Sequence, residues 1–194
     1  MPAPDEPTTL FLADGLDPAV TAAVHREALR ALRSAVDRAW VDAYSDDPWP
    51  DEVLPAYGQA LALARAALAG GTRTRRSDPG MGIEIDLRDD AQFAVLLALA
   101  PHTIGAEAWR GGVLVYGAGD TGRAFHVTVT PGQEAALRAR LAAAGLPAEA
   151  LRDQPARRST RSGDGGAIRR LLGAVGARMN PRRPARSADS APPA

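Results

Sequence analysis

Cysteine and lysine are both missing from this chain, aromatics make up only 5% of it, and long apolar runs are absent. The lack of cysteine excludes disulfides, zinc–thiolate sites, iron–sulfur ligation and thiol catalysis. The longest apolar stretch, FAVLLALAP, has nine residues, far short of the roughly 20 needed to span a bilayer. The opening MPAPDEPTTLF carries neither a basic region nor a long apolar stretch and does not read as a secretory signal. The expected location is therefore cytoplasmic. With few aromatics, and with much of the 45% apolar share supplied by alanine, the core has to be built from short side chains.

What is present is unevenly placed. Residues 1–151 hold 20 acidic side chains against 13 arginines, a net of −7, whereas residues 152–194 hold ten arginines against three aspartates, a net of +7. Arginine carries a permanent charge and a planar donor fork suited to phosphate and carboxylate. The absence of lysine is what a biased genome composition produces, but such a bias does not gather arginines at one end.

The spacing of apolar residues predicts an α+β fold. Residues 1–16 read as a flexible N-terminus. Asp17–Pro18 is a helix start, and Leu29, Leu32, Val36, Trp40 and Ala43 fall at helical spacing beyond it. A second helix is expected from about Leu54 to Ala69, so residues 17–71 form a helical hairpin. MGIEIDLRDD alternates as a half-buried strand, and its acids read as a solvated face and helix caps rather than metal ligands. AQFAVLLALA follows as a short helix behind Asp89 or Asp90, and residues 102–112 read as irregular. GVLVY and AFHVTVT are strands, and Thr130, Pro131 and Gln133 announce a capped helix ending near Gly145. Residues 81–151 thus form a small β-α-β-β-α unit, sharing one core with 17–71 or standing apart from it. Its element order resembles a ferredoxin-like split βαβ unit without the last strand, for which LRDQP is too short and polar. Residues 152–194, rich in arginine, serine and proline, read as a disordered basic tail with a short amphipathic helix over 167–179.

VLVYGAGDTGRAF, residues 113–125, places Gly117, Gly119 and Gly122 in a G-x-G-x-x-G pattern. In a dinucleotide site the last glycine lies in a helix whose amides face the pyrophosphate. Here RAFHVTV alternates as a strand, Pro131 limits any helix, and no ribose-binding carboxylate follows at the required distance. The motif is a turn between antiparallel strands, and no cofactor is expected.

The remaining candidates point to interaction rather than chemistry. His25 reads as exposed on a polar helix face and His126 as a cross-strand residue, and no histidine has a metal-ligand partner at the right spacing. SDDPWPDE sets Trp49 between two prolines, flanked by Asp46, Asp47, Asp51 and Glu52. A rigid tryptophan in an acidic corner either seals a helical hairpin or contacts a basic partner. The leading expectation is a non-enzymatic protein-interaction or accessory protein. The alternative is nonspecific phosphate contact with nucleic acid, or with an anionic membrane surface, through Arg157, Arg158, Arg161, Arg169, Arg170, Arg182, Arg183 and Arg186. A third reading, a small hydrolase or transferase, requires His102 and Glu107 to meet in a concave pocket.

Overall fold

Residues with period-two alternation build one broad antiparallel sheet in the computed structural model, which describes residues 6–153. The strands are β1 (Thr8–Leu12), β2 (Arg38–Val41), β3 (Ile83–Ile85), β4 (Gly105–Arg110), β5 (Val113–Gly119), β6 (Ala124–Val129) and β7 (Leu151–Arg152), in spatial order β3-β2-β4-β5-β6-β1-β7. The helices are α1 (Pro18–Leu32), α2 (Leu54–Ala69), α3 (Asp90–Leu99) and α4 (Pro131–Ala143). The chain is therefore mixed α+β. No helix among the described residues is long and apolar enough to cross a membrane.

Alternation sorts the sheet into two faces. One cross-strand row, Ile85, Ala39, Ala108, Tyr116, Val127 and Leu10, is at most 2% exposed at every position. The helices cover this face. α1 packs against α4 and α3, α2 packs against α3, and α3 and α4 rest on strands. Leu29, Leu32, Leu96, Leu99, Leu137 and Leu141 close the core between the two layers. The neighbouring row on the opposite face reads Glu84, Trp40, Glu107, Gly117, His126, Phe11 and Arg152. Among the described residues no helix lies over it.

Local signals place several elements where the sequence predicts them. Asp17 caps α1 through the Ala19 amide, and Asp89 caps α3 through the amides of Ala91 and Gln92. Thr130 and Gln133 form a complete capping box at α4. β5 and β6 pair antiparallel, as the hairpin reading expects, but the turn itself is only residues 120–123, because Gly117, Ala118 and Gly119 extend β5 and pair with His126, Phe125 and Ala124. In the turn, Asp120 and Thr121 sit at φ 49° and 53°.

Other expectations are corrected. The first helix ends at Leu32, and residues 38–41 are a strand rather than its continuation. Val36, Trp40 and Ala43 continue the helical spacing, but Ala39, Val41 and Ala43 also alternate, and all three are fully buried. Pairing β2 with both β3 and β4 satisfies backbone groups on both sides of the strand, which no isolated helical turn provides. The N-terminal helices therefore do not form a hairpin, because β2 separates them in the chain and α3 in the helix layer. Part of the N-terminus expected to be flexible is β1, paired along its length with β6. The segment taken as irregular contains β4, joined to β5 by Gly111–Gly112 at φ 56° and 81°, the left-handed pair that a tight hairpin turn demands. LRDQP contributes a two-residue edge strand, with Leu151 and Arg152 paired to Leu12 and Phe11. The expected helix at 167–179 and the remainder of the basic tail lie outside the described residues.

Candidate functional site

The face without helices carries most of the sheet's aromatic surface. On β2 and β4, Trp40 and Trp109 stand edge to face with ring centres 5.8 Å apart. Strand alternation puts both on this side while Ala39 and Ala108 point to the core. The Arg38 guanidinium lies over the Trp40 ring at 5.7 Å, within range of a cation–π contact. The Trp109 indole N–H donates to Glu107 Oε2 at 3.2 Å. Two clefts flank the pair. One, of about 560 Å³, is lined by Asp37, Arg38, Trp40, Trp109 and Gly112. The other, of about 310 Å³, has Asp42, Arg76 and Glu107 among its walls and shares both tryptophans.

Further along the same row the His126 ring lies across Gly117. A Cβ at residue 117 would overlap the His126 imidazole, so glycine there makes room for the ring to cross β5 toward Glu107. Burial lowers the His126 pKa from its usual value, and the Glu107 charge partly offsets that. Thr9 and Thr128 join hydroxyls at 3.0 Å on the next row. The face thus offers aromatic planes with polar groups at their rims.

The histidines occupy three different settings. His25 is fully buried rather than exposed, because the helical face it shares with Ala22, Leu29 and Leu32 packs on the sheet. Its Nε2 donates to the Gly122 carbonyl at 2.8 Å, and its Nδ1 lies 2.8 Å from the Tyr116 hydroxyl. A carbonyl only accepts, so Nε2 carries the proton and neutral His25 accepts the Tyr116 hydroxyl at Nδ1. Burial pushes the His25 pKa down to about 4, against the raising effect of the Gly122 bond. His102 follows α3, half-buried, and feels the charges of Arg26 and Glu52. Glu107 is on the other face of the sheet. The structure therefore does not bring His102 and Glu107 together; the histidine that responds to Glu107 is His126. Among the described residues no histidine bonds to a carboxylate or to a serine or threonine hydroxyl, and no group of three metal-ligating side chains forms.

Trp49 stacks on Tyr57 at 5.5 Å and donates its indole N–H to the Tyr44 carbonyl at 2.9 Å. It is half-buried against the core at the entry to α2. Asp46, Asp51 and Glu52 are exposed around it, and Asp47 is half-buried. Burial raises the Asp47 pKa, helped by Asp46, Asp42 and Asp78. The acidic corner is thus a spatial cluster as well as a sequence run. Arg157, Arg158, Arg161, Arg169, Arg170, Arg182, Arg183 and Arg186 lie outside the described residues.

The Trp40–Trp109 pair is hidden in the sequence because Trp40 also fits a helix stripe and Trp109 falls in a stretch that reads as irregular. The available signal was AWRGGVLV, an alternating run on each side of Gly-Gly, which is a hairpin signature. It would have placed Trp109 on a strand. Comparison with family models, with curated proteins and with solved structures returns no match to this chain.

Proposed function

We propose that this chain is a non-enzymatic protein-binding domain that docks its partner on the sheet face centred on Trp40 and Trp109. The observation that carries this reading is the one-sided arrangement of the fold. Helices cover the row through Tyr116, while the row through Trp40, Glu107 and His126 has none over it among the described residues. Tryptophan and arginine dominate binding energy where they fill well-packed interfaces, and this face sets Arg38 on Trp40 beside a cleft. Glu107 and Arg38 provide polar rims that would orient a partner without a large desolvation cost.

The test is affinity capture with the full-length protein, followed by measurement of the captured partner in purified form. Trp40→Ala and Trp109→Ala should each weaken that complex by about 2 kcal/mol or more, the range of interface hot spots. Trp49→Ala serves as a control outside the face. If Trp49→Ala abolishes the complex while both face variants retain it, the partner belongs to the acidic corner around Asp46, Asp47, Asp51 and Glu52. Loss on removing residues 156–194, with a steep salt dependence and no effect of the tryptophans, would favour nucleic-acid contact instead.

A further inference from the structure

Among the described residues, Arg30, Arg33, Arg138, Arg140 and Arg152 are engaged in ion pairs. The other described arginines form none, and four of them, Arg65, Arg73, Arg75 and Arg76, lie together. These four line a single cavity of about 340 Å³ between the last turns of α2 and the following loop. The only carboxylate within residues 54–82 is Asp78. It is turned away, accepting from the Gly80 amide with one oxygen and from the Ser45 amide and hydroxyl with the other. A concentrated positive site therefore sits on a domain whose sequence is otherwise acidic.

The arginines divide the work. Arg73 donates to the carbonyls of Pro79, Met81 and Gly82 and so fixes the returning loop. Burial lowers its pKa, the nearby Arg76 charge lowers it further, and the Asp42 carboxylate on the adjoining side partly offsets both. The guanidiniums of Arg65, Arg75 and Arg76 have no hydrogen-bond acceptor among the described residues. Thr74 and Ser77 also line the cavity with hydroxyls that bond to no described group. Ala64, Leu68 and Pro79 supply an apolar wall, with Leu68 42% exposed.

We propose that this cavity binds an organic phosphate monoester, with Arg65, Arg75 and Arg76 on the phosphate and Leu68 and Pro79 against its carbon substituent. Guanidinium forks match the oxygens of phosphate and carboxylate alike. A single carboxylate supplies only one negative charge to three unpaired guanidiniums, whereas a monoester near neutral pH carries close to two. Its three terminal oxygens also find acceptor roles with Thr74 and Ser77. The apolar wall favours a phosphorylated organic group over inorganic phosphate. This site is separate from the tryptophan face, which it adjoins only through Arg76.

The test is a calorimetric titration of the full chain with phenyl phosphate at constant ionic strength, compared with inorganic phosphate and benzenesulfonate. Phenyl phosphate should bind more tightly than either, and its affinity should rise as pH passes upward through about 6, where the monoester gains its second charge. The double variant Arg75→Ala/Arg76→Ala should weaken binding by about tenfold or more. Arg182→Ala/Arg183→Ala, which removes equal charge from the basic end of the chain, should leave it unchanged, as should Trp40→Ala. Arg75 and Arg76 are exposed and unbonded, so the double variant should keep the wild-type unfolding midpoint and report binding alone. No binding by the wild type overturns the proposal. So does equal loss in the two arginine double variants, or benzenesulfonate binding as tightly as phenyl phosphate. None of these outcomes bears on partner docking at Trp40 and Trp109.

Discussion

His25 and Tyr116, 91 residues apart in the chain, meet in the core with Nδ1 and the hydroxyl oxygen 2.8 Å apart. The pair ties α1 to β5, and the bond from His25 to Gly122 ties the same ring to the β5–β6 turn. Phe125 packs edge-on to the imidazole at 4.8 Å. Three elements therefore depend on one neutral histidine.

Tyr116→Phe should destabilise the fold by about 1–3 kcal/mol. The ring is retained, but His25 Nδ1 becomes a buried acceptor with no donor. Urea unfolding of the wild type and variant measures this, and an unchanged midpoint would show that Nδ1 finds another partner.

Acid should weaken the fold through His25. Its folded pKa of about 4 lies below the ordinary 6.5, so the unfolded chain binds more protons between these values. The stability from keeping His25 neutral is complete above pH 6.5 and falls away as pH drops through 4. The loss is roughly 3 kcal/mol by linkage. Nearby Arg26 and His102 add to the cost of charging the ring. The unfolding free energy, measured from pH 7.5 to 4, should fall in the wild type. His25→Gln should be less stable at pH 7.5 and show a shallower decline.

Gly117→Ala should cost about 1–3 kcal/mol, because the new methyl overlaps the His126 ring and forces it off β5. Combining it with His126→Ala should recover part of that loss, since the obstructing ring is gone. A double-mutant cycle reads the coupling directly. Strict additivity would mean that His126 does not need the space above residue 117.

Thr130→Ala removes one half of the capping box at α4 and should cost about 1 kcal/mol. Thr130→Ser should be close to neutral, since serine keeps the accepting hydroxyl. Thermal unfolding of the two variants separates capping from packing at this site.

The alternation of AFHVTV, the capping residues at Asp17, Asp89 and Thr130, and the turn chemistry of residues 120–122 are local, and each element formed where those signals stand. They depend on backbone sterics and on hydrogen bonds within a few residues, so sequence alone determined them. The fate of Arg38–Val41 was not local. Its residues fit a helix stripe and a strand equally well, and pairing with β3 and β4 from later in the chain made it a strand. Likewise β1 and β7 are too short to hold as isolated strands and exist through mutual pairing beside β6. The candidate site shares that origin. Trp40 and Trp109 are 69 positions apart by number, and only the β2–β4 register sets them edge to face. Arg73, Arg75 and Arg76 are neighbours in sequence, but their convergence with Arg65 of α2 required that helix to end at Gly70 and Arg73 to bind the returning loop. Short-range preferences thus determined the pieces of this protein. Long-range pairing and burial decided which face each piece presents, because only the assembled sheet satisfies its backbone and covers its apolar side.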